Sequence, residues 1–132
     1  MKYWRVDGEP DEDIVAAIAD VLLRGGVALL PTDTIYGLHV IATDDAAMRR
    51  VADLKGRGDD KPFVVIAAST EQLRLFGADV PTALEALWPA PLTAVLRRGG
   101  ATVAARVPAL PWLRKLLAQS GPLISKIGRA HV

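Results

Sequence analysis

Leu29-Leu30-Pro31-Thr32-Asp33-Thr34-Ile35-Tyr36-Gly37-Leu38 and, after an interval long enough for a strand and a helix, Lys55-Gly56-Arg57-Gly58-Asp59-Asp60-Lys61-Pro62 set the architecture of this chain. The run Val27-Ala28-Leu29-Leu30 lies between Gly26 and Pro31 and predicts a short strand covered on both faces. It stops at a turn rich in hydroxyls, and a glycine-loosened loop later presents three cations within seven positions. Thr32, Thr34 and Tyr36 alternate with Asp33 and Ile35, so an extended backbone projects the hydroxyls to one side. Gly37 permits a close backbone approach. Hydroxyls can hold an ammonium, a carboxylate or a phosphate oxygen, and Lys55, Arg57 and Lys61 can neutralise a triphosphate, arginine as a planar fork and lysine as a mobile point charge. The combination predicts an anion site at the carboxyl end of a strand.

Working outward, residues 3–6 suit a short edge strand. Glu9-Pro10-Asp11 opens a helix with Ile14, Ile18, Val21 and Leu22 on one face, and Gly25-Gly26 ends it. Leu38 to Ile41 is a second strand. Thr43-Asp44-Asp45 begins a helix whose apolar side includes Met48, Val51, Ala52 and Leu54. Phe63 to Ala67 is a buried strand, Thr70 to Phe76 and Pro81 to Leu87 are short helices, and Trp88-Pro89-Ala90-Pro91 follows. Leu92 to Leu96 and Thr102 to Arg106 pair as a hairpin about Arg98-Gly99-Gly100. Leu110-Pro111 starts a helix with Leu113, Leu116 and Leu117, and Gly121-Pro122-Leu123-Ile124 begins a strand expected to remain unfinished. Helices alternating with strands predict an α/β fold with a mixed sheet, parallel in part, and ligands gather where such strands end.

At 132 residues and 51% hydrophobic content the chain has material for one core. No apolar run reaches the roughly 20 residues of a membrane helix, and acidic residues follow Met1-Lys2-Tyr3-Trp4-Arg5 where a signal peptide would be apolar. A cytoplasmic protein without membrane contact is expected. There is no cysteine, and His39 and His131 stand far apart, which excludes disulfides and thiolate metal sites and argues against a structural zinc. Residues 1–54 hold five Lys/Arg against ten Asp/Glu, a balance of −5, and residues 55–132 hold eleven against five, a balance of +6. That asymmetry points the second part toward a polyanion, nucleotide or nucleic acid.

Each feature alone has a plainer reading. A threonine-rich turn can be no more than a satisfied turn, a Lys/Arg loop a solvated surface, and Arg106 an edge charge that discourages aggregation. His39 reads as a core histidine, and Trp88 and Trp112 as packing anchors.

Taken together, the ordered motifs resemble the YrdC-like family of threonylcarbamoyl-AMP synthases. Pro31 to Leu38 is similar to the family's first signature, and Lys55-Gly56-Arg57 with Lys61-Pro62 to its second. Trp88-Pro89-Ala90-Pro91-Leu92-Thr93 resembles a Trp-Pro-Gly-Pro-x-Thr segment with Ala90 in place of glycine. Thr102-Val103-Ala104-Ala105-Arg106-Val107-Pro108 resembles an Arg-x-Pro strand end, and Gly121 to Ser125 the run into Ser-Thr-Ser-Ala-Asn. The resemblance covers about residues 10 to 125. It implies an open twisted mixed sheet flanked by helices.

It also implies a nucleotidyltransferase that condenses L-threonine, bicarbonate or CO2, and ATP with Mg²⁺ into threonylcarbamoyl-AMP and pyrophosphate. A downstream tRNA threonylcarbamoyl transferase would use the product for tRNA modification. By resemblance, Lys55, Arg57 and Lys61 are catalytic and bind the ATP phosphates, and Thr102 lies beside the nucleotide. Thr34 and Arg106 hold L-threonine, Arg106 by its carboxylate, while Thr32 and Tyr36 shape the pocket. Two rivals accompany this expectation. One is a double-stranded RNA or tRNA-binding module without chemistry, which the positive second part also fits. The other is the related domain of hydrogenase-maturation carbamoyltransferases, which the chain without cysteine does not support.

The chain departs from the family pattern after Ser125, where Lys126-Ile127-Gly128-Arg129-Ala130-His131-Val132 stands in place of Thr-Ser-Ala-Asn. Residues 127–132 back-translate onto ATC GGA AGA GCA CAC GTC, which reads like the start of a sequencing adapter. The expectation is a partial domain over 1–126, incomplete at its C-terminus, with a non-native tail over 127–132. Full activity is not expected without the Ser-Ala-Asn contacts. Genomic resequencing that recovered those codons would overturn the tail reading.

Overall fold

The structure is a computed structural model that describes residues 8–32, 36–44, 46 and 63–127, the side chain of Ile127 excepted. The expected strand at 3–6, most of the expected helix after Thr43, and the loop from Lys55 to Pro62 lie outside the described residues.

Helix α1 (Glu12–Leu23) begins where Asp11 Oδ1 accepts from the Ile14 amide at 2.9 Å, and Glu12 and Asp13 place negative charge at the positive end of the helix dipole. Its buried stripe is Val15, Ile18, Ala19 and Leu22. Ile14 and Val21, expected within that stripe, are half-buried at its margins. Gly25 leaves the helix at a φ of 85°, and Gly26 lies so close to the helix end that a Cβ there would stand 2.7 Å from the Val21 carbonyl oxygen.

The strands are β1 (Ala28–Pro31), β2 (Tyr36–Ile41), β3 (Val64–Ile66), β4 (Ala94–Arg98), β5 (Ala101–Arg106) and β6 (Leu123–Ile127). Between them lie α2 (Thr70–Leu75), α3 (Thr82–Glu85) and α4 (Pro111–Ser120). The sheet order is β1-β2-β6-β3-β5-β4. Among the described residues, β3 and β5 are the parallel pair, and the other pairings are antiparallel.

Two strand expectations need correction. The strand after Gly26 is not covered on both faces: Leu29 is 63% exposed while Leu30 is buried, and among the described residues β1 stands at the edge of the sheet. The apolar run does not distinguish an edge from a central position, because both bury alternate residues. The strand beginning near Leu123 does not stay unfinished within the described residues. It runs to Ile127 and pairs with β2 on one side and β3 on the other, at the centre of the sheet.

Alternation sorts the sheet's side chains onto two faces. On one, Ala28, Leu30, Ile41, Val64, Ile66 and Leu123 pack beneath α1 and α4, which contribute Val15, Ile18, Leu22, Trp112, Leu113, Leu116 and Leu117. On the other, Val40, Val65, Leu96, Ala105 and Ile124 pack beneath Leu73, Val80 and Trp88. The second face is covered as far as β4, whereas the first is not. Val64 and Ile66 pair with Ala104 and Arg106, and Val95 and Arg97 pair with Ala104 and Thr102, so these residues share the α1/α4 face. Val95 is 73% exposed, Thr93, Arg97 and Thr102 are exposed, and Ala104 and Arg106 are half-buried. Among the described residues, the two helices therefore leave the β5–β4 side of their own face open.

Candidate functional site

This open surface carries two of the described candidates, Thr102 and Arg106. A two-residue turn at Gly99-Gly100, with Gly99 at a φ of 61°, returns the chain from β4 to β5 and places Thr102 at the start of the exposed row. Arg106 ends β5. Pro108, two residues on, carries no amide hydrogen with which to extend the ladder. Thr102 and Arg106 are four residues apart on one face, a separation of about 13 Å along the strand. Arg106 is not an edge charge, because β5 lies between β3 and β4 and the edge belongs to β4.

The Arg106 guanidinium is held by the residue that leads into β4. Its Nε and Nη2 both donate to Thr93 Oγ1, at 3.0 and 2.8 Å. The Arg106 carbonyl accepts from the Ala67 amide at 3.1 Å, which fixes the strand end behind the side chain. Thr93 was legible only as the last letter of the Trp-Pro-Ala-Pro-Leu-Thr segment. Its contact with Arg106 spans thirteen positions and follows from β4–β5 pairing.

A second arrangement joins β2 to β6. His39 is fully buried, with Nδ1 2.9 Å from the Gly37 carbonyl oxygen and Nε2 2.9 Å from Ser125 Oγ. A carbonyl can only accept, so the proton belongs on Nδ1 and the Ser125 hydroxyl donates to Nε2. Burial lowers the His39 pKa from 6.5 to about 4, against the opposing hydrogen bonds to the Gly37 and Ala28 backbone. The ring is neutral at physiological pH and acts as a crosslink between β2 and β6. This bears out the reading of His39 as a core histidine.

His39, Ser125, Val64 and Ala104 form one row across the sheet. Gly37 and Thr102 each lie two residues beyond that row in the same direction, so the Pro31–Tyr36 pair and Thr102 share one end of the sheet, and Arg106 lies toward the other. Three strand spacings, about 14 Å, separate β2 from β5. At the turn, Thr32 is half-buried and Tyr36 is 62% exposed. The structure thus places Thr102 and Arg106 on one face of β5, whereas Tyr36 alternates with Leu38 and Val40 onto the opposite face, about three strand spacings away, and Thr32 follows the end of β1. Thr34, Lys55, Arg57 and Lys61 lie outside the described residues.

Lys126, where the motif departs from the family pattern, is buried on the opposite face with Nζ 4.6 Å from the centroid of the Phe63 ring. Among the described residues, no three His, Cys, Asp or Glu side chains come together as a metal site, and no helix is long and apolar enough to cross a membrane.

Residues 20–126 match the family model Sua5_yciO_yrdC, described as Telomere recombination. A threonylcarbamoyl-AMP synthase of Pyrococcus abyssi is 37% identical over 113 residues, which span 75% of this chain and 33% of the relative. The human threonylcarbamoyl-AMP synthase is 40% identical over 89 residues, 66% of this chain and 32% of the relative. The structure of P. abyssi Sua5 complexed with L-threonine matches with a TM-score of 0.77 at 33% identity, covering 87% of this chain and 38% of that one. E. coli YciO matches with a TM-score of 0.75 at 22% identity, a likeness of fold alone. The chain spans between 33% and 52% of the length of three curated relatives, those of P. abyssi, Bacillus subtilis and Nitrosococcus oceani.

Proposed function

The chain belongs to the Sua5/YciO/YrdC family, and from that premise we propose that its open sheet face is the amino-acid side of an L-threonylcarbamoyladenylate synthase site. The observation that carries this reading is Arg106, a guanidinium braced at a strand end on a face that the described helices leave open and that also bears Thr102. The names of the curated relatives and the L-threonine bound to P. abyssi Sua5 support the substrate assignment.

In this proposal Arg106 pairs its planar fork with the carboxylate of L-threonine, which orients the amine away from the cation. The amine adds to CO2 derived from bicarbonate, forming an N–C bond and releasing a proton to solvent. A carbamate oxygen then attacks the α-phosphorus of ATP, forming an O–P bond while the bond to the β-phosphate oxygen breaks and pyrophosphate leaves. Positioning and charge neutralisation supply the catalysis, and no side chain needs to act as a nucleophile. Lys55, Arg57 and Lys61 are assigned to the phosphates, Thr102 to the nucleotide side and Thr34 to the amino acid, with Thr32 and Tyr36 at the rim. Magnesium enters as part of the MgATP substrate. The product passes to a tRNA threonylcarbamoyl transferase in the cytoplasm.

The test is pyrophosphate release from MgATP and bicarbonate, with and without L-threonine. It is run on this chain and on a chimera continued after Ser125 with the P. abyssi sequence. L-Threonine-dependent release from the chimera is expected. Release that ignores L-threonine in both proteins, with tight RNA binding that weakens steeply with salt, would replace this reading by the RNA-binding one.

A further inference from the structure

Resting on the reading of Arg106 as a carboxylate clamp, we infer that Thr93 is a positioning residue and that the segment from Trp88 to Thr93 is a bracket setting the clamp's orientation and its affinity for amino acids. Thr93 Oγ1 receives two N–H groups of the same guanidinium, at 3.0 and 2.8 Å. Two bonds from one group to one oxygen hold the Nε–Nη2 edge of the guanidinium against Thr93 and restrict the last side-chain torsions. A carboxylate is planar and takes two parallel bonds only from a fork lying in its own plane. An arginine that must be ordered by its ligand gives up rotamer freedom on binding, and one already ordered does not.

Thr93 is itself held in place. The indole Nε1 of buried Trp88 donates to the Leu92 carbonyl at 2.7 Å, one residue before Thr93. Trp88 packs in the core that contains Leu96, Ala105 and Val107, so its position is set by the strands that carry the clamp. The Ala90 amide donates to the Val107 carbonyl at 3.0 Å, tying the segment to the residue that follows Arg106. The path from Trp88 through Leu92 and Thr93 to the guanidinium is thus closed by a second link at Ala90. The segment crosses from the covered face, where Trp88 is anchored, to the open face, where Thr93 meets Arg106.

The inference is tested by calorimetric titration of the full chain with L-threonine and with threoninol, in which the carboxylate is replaced by a hydroxymethyl group. Thr93→Val keeps the branched shape and removes the acceptor. It is expected to weaken L-threonine binding roughly tenfold, leave threoninol binding unchanged and leave the thermal midpoint in place, while Thr93→Ser restores wild-type affinity. Trp88→Phe keeps the buried ring and removes the indole N–H, and is expected to weaken L-threonine in the same direction by a smaller factor. Wild-type affinity in Thr93→Val, or equal loss for both ligands without rescue by serine, overturns the inference and leaves the clamp reading standing. A wild-type chain with no affinity for L-threonine overturns both.

Discussion

At the residue scale, the site stands on Arg106 and its immediate neighbours. Arg106→Gln keeps much of the side chain's length and polarity but loses the charged fork, so L-threonine affinity measured by titration is expected to fall by roughly 30- to 100-fold. His39 gives an independent prediction in pH. Its pKa is about 4 in the folded chain against 6.5 for the free side chain, so the unfolded state binds the extra proton first. Stability from this group is fully present above pH 6.5, declines as pH falls toward 4, and amounts to about 3 kcal/mol. Urea titrations between pH 7.5 and 4 should show that decline in the wild type and a flatter profile in His39→Gln; identical slopes would remove His39 from the account. Residue type and neighbours made part of this legible. His39 sits in an apolar run and reads as core, and Arg106 ends an apolar strand before a proline. Its partner Thr93 was not assigned a role, and neither was Ser125 as a partner of His39, because both contacts depend on which strands become neighbours.

At the scale of the element, local chemistry accounts for most boundaries. Asp11, the two acidic residues after it and Gly25-Gly26 bracket α1, and Gly99-Gly100 closes the β4–β5 hairpin. Asp11→Ala removes the acceptor for the Ile14 amide and is expected to cost about 1 kcal/mol in thermal or urea unfolding. Gly26→Ala would push a methyl group to 2.7 Å from the Val21 carbonyl oxygen, so a loss of about 1–3 kcal/mol is expected; an unchanged midpoint would mean the α1–β1 turn can yield. What periodicity left open was the status of each strand. Val27-Ala28-Leu29-Leu30 and Gly121-Pro122-Leu123-Ile124 are similarly apolar, yet among the described residues the first supplies an edge strand and the second the centre of the sheet. Edge or centre is a property of partners, and no run of four residues carries it.

At the scale of the whole molecule, the order β1-β2-β6-β3-β5-β4 places the last strand between the second and third, a long-range arrangement that composition and spacing do not determine. A mixed α/β sheet was legible from the alternation of elements, and the family from its ordered motifs. The open face was not, because it arises from what α1 and α4 fail to cover. Hydrogen exchange should report this topology: amides of Val40, Val65 and Ile124 are expected to exchange last, while those of β4 exchange earlier through local opening. Equal protection across all six strands would contradict the picture of a central β6 with weaker flanks. The uncovered β4–β5 surface as the place where substrate binds is best examined by titrating the ¹⁵N-labelled chain with L-threonine and following its amide resonances. The largest shifts are expected at Thr93, Val95, Ala104, Arg106 and Val107. Shifts confined to the outer surfaces of α1 and α4, or none at saturating L-threonine, would contradict it.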